Sequence, residues 1–177
     1  MKTLTDRINE ALKIGKNLSE WSVYSCQPKT KKELKEIIKD RISKEGTKCD
    51  LNDIDVSLID DMDSLFYDSD FTGDISEWNV SNAKNIQNMF RFSKFNGDIS
   101  KWDVSSVENT SHMFENSKFN NDISKWNTSA VKDMCSMFMH SKFNGDISNW
   151  KINKKCNIWF MFDGCPIKEE YKPVLPK

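Results

Sequence analysis

The sequence predicts a repeat solenoid. Each 24-residue coil would carry one short parallel β-strand and one short α or 3-10 segment, and an α-helix would cap the N-terminal end. Three observations predict it. Asp-Ile-Ser-x-Trp recurs without insertion or deletion at Asp74–Trp78, Asp98–Trp102, Asp122–Trp126 and Asp146–Trp150. Met-Phe recurs in the same register at Met89–Phe90, Met113–Phe114, Met137–Phe138 and Met161–Phe162, with Leu65–Phe66 as an imperfect earlier copy. A capped amphipathic stretch lies directly before the first coil, where the apolar rungs and unpaired edge of a solenoid end need cover.

Residues 1–29 read as an N-terminal helix and linker. Leu4, Ile8, Ala11 and Leu12 share one face of Met1–Gly15, and Gly15 can stop that helix. The linker to Lys29 has no clear period; Trp21 and Tyr24 are expected to dock. Residues 30–48 form the capping helix. Thr30 and Glu33 make a capping box after Pro28, Leu34, Ile37, Ile38 and Ile42 form one apolar stripe, and Gly46 fits the position just past the end.

Residues 49–164 form the solenoid. Stepping back one period from Ile75, Trp78 and Val80 reaches Leu51, Ile54 and Val56, so a degenerate first coil precedes the consensus. The strand columns are Leu51/Ile75/Ile99/Ile123/Ile147, Ile54/Trp78/Trp102/Trp126/Trp150 and Val56/Val80/Val104/Thr128/Ile152. The return columns are Met62/Ile86/Thr110/Met134/Ile158, Leu65/Met89/Met113/Met137/Met161 and Phe66/Phe90/Phe114/Phe138/Phe162, followed by Phe71/Phe95/Phe119/Phe143/Ile167 at the turn. Spacing by two suits a strand, and spacing by three and four suits a helical turn. The core ladder is therefore Trp78, Trp102, Trp126 and Trp150 with Phe90, Phe114, Phe138 and Phe162. Residues 165–177 form a C-terminal plug, in which Pro166, Pro173 and Pro176 stop further pairing.

Charge and cysteine usage exclude several function classes. Residues 1–48 carry 12 Lys/Arg and 7 Asp/Glu, and residues 49–177 carry 14 and 20. The acidic repeat region cannot neutralise phosphates, so no nucleic-acid partner is expected. No segment is apolar enough for membrane insertion, and Asp6, Arg7 and Glu10 occupy the place of a secretory h-region. The five cysteines share no column and no CxxC spacing, so reduced thiols in a cytosol-like compartment are expected, without bound metal.

Phe95-Asn-Gly-Asp-Ile-Ser-Lys-Trp-Asp-Val-Ser-Ser-Val107, continuing through Thr110 to Met113-Phe114, resembles the BspA-like leucine-rich-repeat-related family in its mycoplasma-lipoprotein type. The resemblance covers roughly Asp50 to Tyr171. It implies a leucine-rich-repeat-like solenoid without catalytic residues. Family members are often surface proteins with adhesive roles and signal peptides, while similar repeats also occur in intracellular and viral proteins. Separately, Met1–Ala11 is similar to capsid-targeting leaders of large tailed phages, and Ile8-Asn-Glu10 and Leu18-Ser-Glu20 resemble prohead-protease sites.

Candidate sites follow from the columns. Asp74, Asp98, Asp122 and Asp146 follow turns and are expected to cap backbone N–H groups, since the calcium β-roll pattern is absent. The acidic run from Asp50 to Asp70 lacks an EF-hand pattern and reads as a solvated face, with a basic partner patch as the alternative. His112 and His140 occupy different columns and have no matched nucleophile, so no catalytic residue and no cofactor is expected.

Candidate partner contacts lie where columns stop being uniform. On the strand face these are Glu77, Lys101, Lys125 and Asn149, and Asn79, Asp103, Asn127 and Lys151. On the return face Phe92, Met139, Trp159 and Phe160 stand in columns otherwise held mainly by polar residues. Trp159 and Phe160 either pack under the C-terminal plug or form an exposed partner patch. The expected function is a non-enzymatic protein-interaction module, monomeric on its own, cytoplasmic in the producing or infected bacterial cell. The alternatives are a surface adhesin and a phage virion protein targeted by its N-terminal helix.

Overall fold

A computed structural model describes residues 24–175. The helix expected over Met1–Gly15 and the Glu10 and Glu20 sites lie outside the described residues.

Helix α1 spans Lys31–Glu45. Thr30 stays extended, and its Oγ1 accepts the Glu33 N–H at 3.2 Å. The Glu33 carboxylate reaches back to the N–H of Lys29 at 2.7 Å, one residue earlier than in a standard capping box. Gly46, at φ 86°, ends the helix and donates to Ile42 O. Leu34 and Ile38 are buried against the first coil. Two ion pairs hold the helix there: Lys31 with Asp61 at 2.7 Å and Arg41 with Asp53 at 3.0 Å. Three of the eight aspartates of the acidic run, Asp53, Asp61 and Asp63, are therefore paired to the cap.

Successive 24-residue segments stack in register. Phe66, Phe90, Phe114, Phe138 and Phe162 form one ladder of nearly parallel rings at 5.5–5.8 Å. Phe71, Phe95, Phe119 and Phe143 form a second at 6.1–6.4 Å. Within each coil the two ladders touch, as in Phe114–Phe119 at 4.2 Å. Phe162, at the end of its ladder, is only partly buried; each of the other rings is fully buried and contributes about 2–3 kcal/mol of gross burial free energy.

The polar ties between coils lie elsewhere than the strand columns suggest. Among the described residues there is no continuous strand, only isolated parallel bridges, four of them along Asp61/Asn85/Asn109/Asp133/Asn157. The side expected to be strand has alternating burial, with Ile99, Trp102 and Val104 inside and Asp98, Lys101 and Asp103 outside. Its coils are tied by side chains instead. Each indole Nε1 donates to a carbonyl of the preceding coil: Trp78 to Leu51 O, Trp102 to Ile75 O, Trp126 to Ile99 O and Trp150 to Ile123 O, at 2.9–3.1 Å.

The return segment, expected to be α or 3-10, is neither. It carries the main-chain ladder. N–H groups of alternate residues donate to the next coil: Ile86 to Asn109 O, Asn88 to Ser111 O, Phe90 to Met113 O and Phe92 to Glu115 O, at 2.9–3.0 Å. Each coil places two residues of this segment at positive φ. One column is Ser64/Asn88/His112/Ser136/Phe160 and the other Asp68/Phe92/Asn116/His140/Gly164, all between 50° and 62°. A left-handed residue at every fourth position interrupts the right-handed run and keeps the segment out of a helix.

Asp and Asn turns explain why the sides stay short. Asp98 Oδ1 accepts Ser100 N–H at 2.9 Å, Asp103 Oδ1 accepts Ser105 N–H at 3.0 Å, and Asn109 Oδ1 accepts Ser111 N–H at 2.9 Å. The chain thus bends every five or six residues, before a strand can extend. At the C-terminal end, Ile167 continues the Phe143 column, Tyr171 O accepts the N–H of Ile147, and Glu169–Tyr171 forms a 3-10 turn.

Candidate interaction surface

The surface residues at the strand columns divide into two groups. Glu77 and Lys101 form an exposed ion pair between adjacent coils at 3.0 Å; Lys125 and Asn149 lie above them, exposed. Asn79, Asp103 and Asn127 are exposed, and each side-chain Oδ1 accepts a backbone N–H two residues on, from Ser81, Ser105 and Ser129. These three residues hold the corner, which limits what they offer a partner. Lys151 is exposed without that turn role.

The Asp ladder does the same structural work. Asp74, Asp98, Asp122 and Asp146 accept the N–H groups of Ser76, Ser100, Ser124 and Ser148 at 2.9–3.0 Å. The bond from the Ser100 backbone holds the Asp98 carboxyl below its ordinary range, and the Ser124 backbone does so for Asp122. Among the described residues no cluster of three or more His, Cys, Asp or Glu could hold a metal ion, and no helix is long and apolar enough to cross a membrane.

The return face is more distinctive. Phe92 is 40% exposed and meets Tyr67 edge-on at 5.8 Å. The Arg91 guanidinium lies 5.0 Å over the Phe92 ring and pairs with Glu115 at 2.9 Å. Glu115 is nearly fully buried, and its second oxygen meets His112 Nδ1 at 2.5 Å. Arg91 and His112 on either side supply the charge and hydrogen bonds that a buried carboxylate requires. Tyr67 also borders an apolar groove of about 390 Å³ between α1 and the first coil, lined by Ile38, Ile42, Leu65 and Phe66. Met139 is half-buried.

Trp159 and Phe160 do not pack under the C-terminal segment. They are 71% and 60% exposed and contact each other at 6.2 Å. Among the described residues, the segment after Gly164 follows the Phe143 and Ile147 side, lays Lys172 Nζ 5.6 Å over the Phe162 ring, and leaves Trp159 and Phe160 exposed.

The sequence columns missed Tyr67 and the Arg91–Glu115 pair. The signal was present: Tyr67, Arg91, Glu115 and Met139 occupy one column, so opposite charges one period apart are vertical neighbours. All five cysteines are unpaired. Burial, assisted by the charge of Asp133, pushes the Cys156 thiol up to about 11.

Residues 32–118 and 95–169 match the family described as Mycoplasma protein of unknown function, DUF285, which lies within the BspA-like, mycoplasma repeat-lipoprotein group. No curated protein and no solved structure matches the chain.

Proposed function

We infer that this chain, which belongs to the DUF285 family of Mycoplasma proteins of unknown function, is a non-enzymatic protein-interaction module built as a leucine-rich-repeat-like solenoid. One observation carries the reading. The two positive-φ columns are filled by Ser, Asn, Asp, His and Gly, residues compatible with turns, except at Phe92 and Phe160. A bulky side chain in the left-handed region costs about 1–2 kcal/mol. Both phenylalanines are also exposed, so core packing does not account for them. Recognition of a protein partner through exposed aromatic anchors would account for both the strain and the exposure.

The proposed compartment is the cytoplasm of the producing or infected cell; five unpaired thiols support it. Phe92→Asn with Phe160→Asn tests the function, because Asn already occupies the same columns at Asn88 and Asn116. The native chain is expected to retain a stoichiometric protein partner from its source cells, and the folded double variant to lose it. Equal retention by the double variant would reject the aromatic surface. Intact-mass analysis of the recovered chain addresses the virion alternative, which requires trimming near Glu10 or Glu20.

A further inference from the structure

The two ends of the stack differ in kind. Within it, each return segment offers carbonyl groups to the coil before and N–H groups to the coil after. Met134, Ser136, Phe138 and His140 donate to Asn157, Trp159, Met161 and Asp163 of the last coil at 2.7–3.0 Å. The equivalent N–H groups of the last coil belong to Ile158, Phe160, Phe162 and Gly164. Among the described residues these four have no hydrogen-bond acceptor. Four main-chain donors in one row are thus left at a surface flanked by exposed Trp159 and Phe160. A row of main-chain N–H groups of one polarity suits carboxylate and carbonyl oxygens.

Charge points to the same class of partner. Residues 151–172 hold five lysines against three carboxylates, and Lys151, Lys154 and Lys155 are exposed. The first coil, residues 50–73, holds eight aspartates and no cation. Two copies meeting through this end would oppose donors to donors. Head-to-tail stacking would meet α1, which covers the other end.

We propose that the open C-terminal edge of the stack, the N–H row of Ile158, Phe160, Phe162 and Gly164 beside Trp159 and Phe160, docks an extended acidic peptide segment of a partner protein. The proposal rests on the protein-interaction reading above. The peptide supplies carbonyl oxygens to the row, as in addition of a strand to a sheet edge, places carboxylates toward Lys154 and Lys155, and lays a side chain against the Trp159 ring.

The test uses the full chain and a displayed random-peptide library. Recovered peptides are synthesised and titrated into ¹⁵N-labelled protein. The expected result is enrichment in Asp and Glu, with shifts at the amides of Ile158, Phe160, Phe162 and Gly164 and at the Trp159 indole. Lys154→Glu with Lys155→Glu should weaken binding about threefold or more. Peptides that shift Tyr67 and Phe92 instead would overturn the edge and leave the interaction reading standing. No enriched peptide would overturn the edge proposal and leave the interaction reading to the partner-retention experiment. Concentration-dependent shifts of the same four amides without peptide would show a second copy at the edge and overturn the proposal.

Discussion

Replacing Trp102 separates what the indole contributes by volume from what it contributes by its N–H. The ring is buried, stacks on Trp78 at 6.4 Å with planes 5° apart, and leans on Phe90 at 6.3 Å. Its Nε1 donates to Ile75 O at 3.1 Å, and the same carbonyl also accepts the N–H of Trp78 at 3.2 Å. Trp102→Ala opens a cavity spanning two coils, at a cost of about 3–5 kcal/mol. Trp102→Phe keeps a stacked ring and loses the indole bond. Because Ile75 O retains one donor, that loss falls near the lower end of the hydrogen-bond range, about 1 kcal/mol, with a similar amount for the lost volume.

For a chain of this size about 2–4 °C of melting temperature corresponds to each kcal/mol. Thermal unfolding followed by far-ultraviolet circular dichroism should therefore place Trp102→Ala roughly 6–20 °C below the native chain, with Trp102→Phe between them. Lys101→Glu, one residue away and exposed, should melt close to the native temperature. A native melting temperature for Trp102→Ala would refute the ladder as the source of stability. Equal losses for Ala and Phe would place the energy in the N–H and not in the packing.

Three further outcomes follow from the geometry. Thr30→Ala removes the acceptor for Glu33 N–H and should cost about 1 kcal/mol in urea unfolding, whereas Thr30→Ser should be near neutral. Asp98 and Asp122 titrate below their ordinary value when folded. Their stabilisation is thus complete above about pH 4 and declines as pH falls through the folded values, so melting temperature should drop in acid; Asp98→Asn, which keeps the Oδ1 acceptor, should flatten that dependence, and a rise in acid would contradict the turn assignment. Cys156, protonated at neutral pH because burial holds its thiol near 11, should resist iodoacetamide in the folded chain and react on denaturation; fast labelling of native Cys156 would contradict its burial.

Register was legible because stacking repeats the same environment at a fixed interval. Ile75, Trp78 and Phe90 each predict their counterparts one period away, and one chain without relatives suffices to align them. The helix Lys31–Glu45 was legible for a local reason: Thr30, Glu33 and Gly46 cap it within one turn of either end. The conformation of each coil was less legible. Spacing of three and four at Met62, Leu65 and Phe66 fits a helical turn, yet positive φ at Ser64 and Asp68 gives the same inward residues with a different backbone. Apolar periodicity reports which side chains face the core; it does not report which neighbour receives the N–H groups.

From residue types and their 24-residue interval alone come the register of the coils, the inward columns and the position of the helical cap. These are local or strictly periodic properties, and both survive without coordinates. Three-dimensional packing was needed for the rest. It placed the main-chain ladder on the return segment, assigned the indole N–H groups to carbonyls of the preceding coil, and enclosed Glu115 between Arg91 and His112. Among the described residues, it also left Trp159 and Phe160 exposed beside four main-chain donors without an acceptor. Each of these depends on which groups of neighbouring coils come within hydrogen-bonding reach, a relation between distant residues that no single column contains.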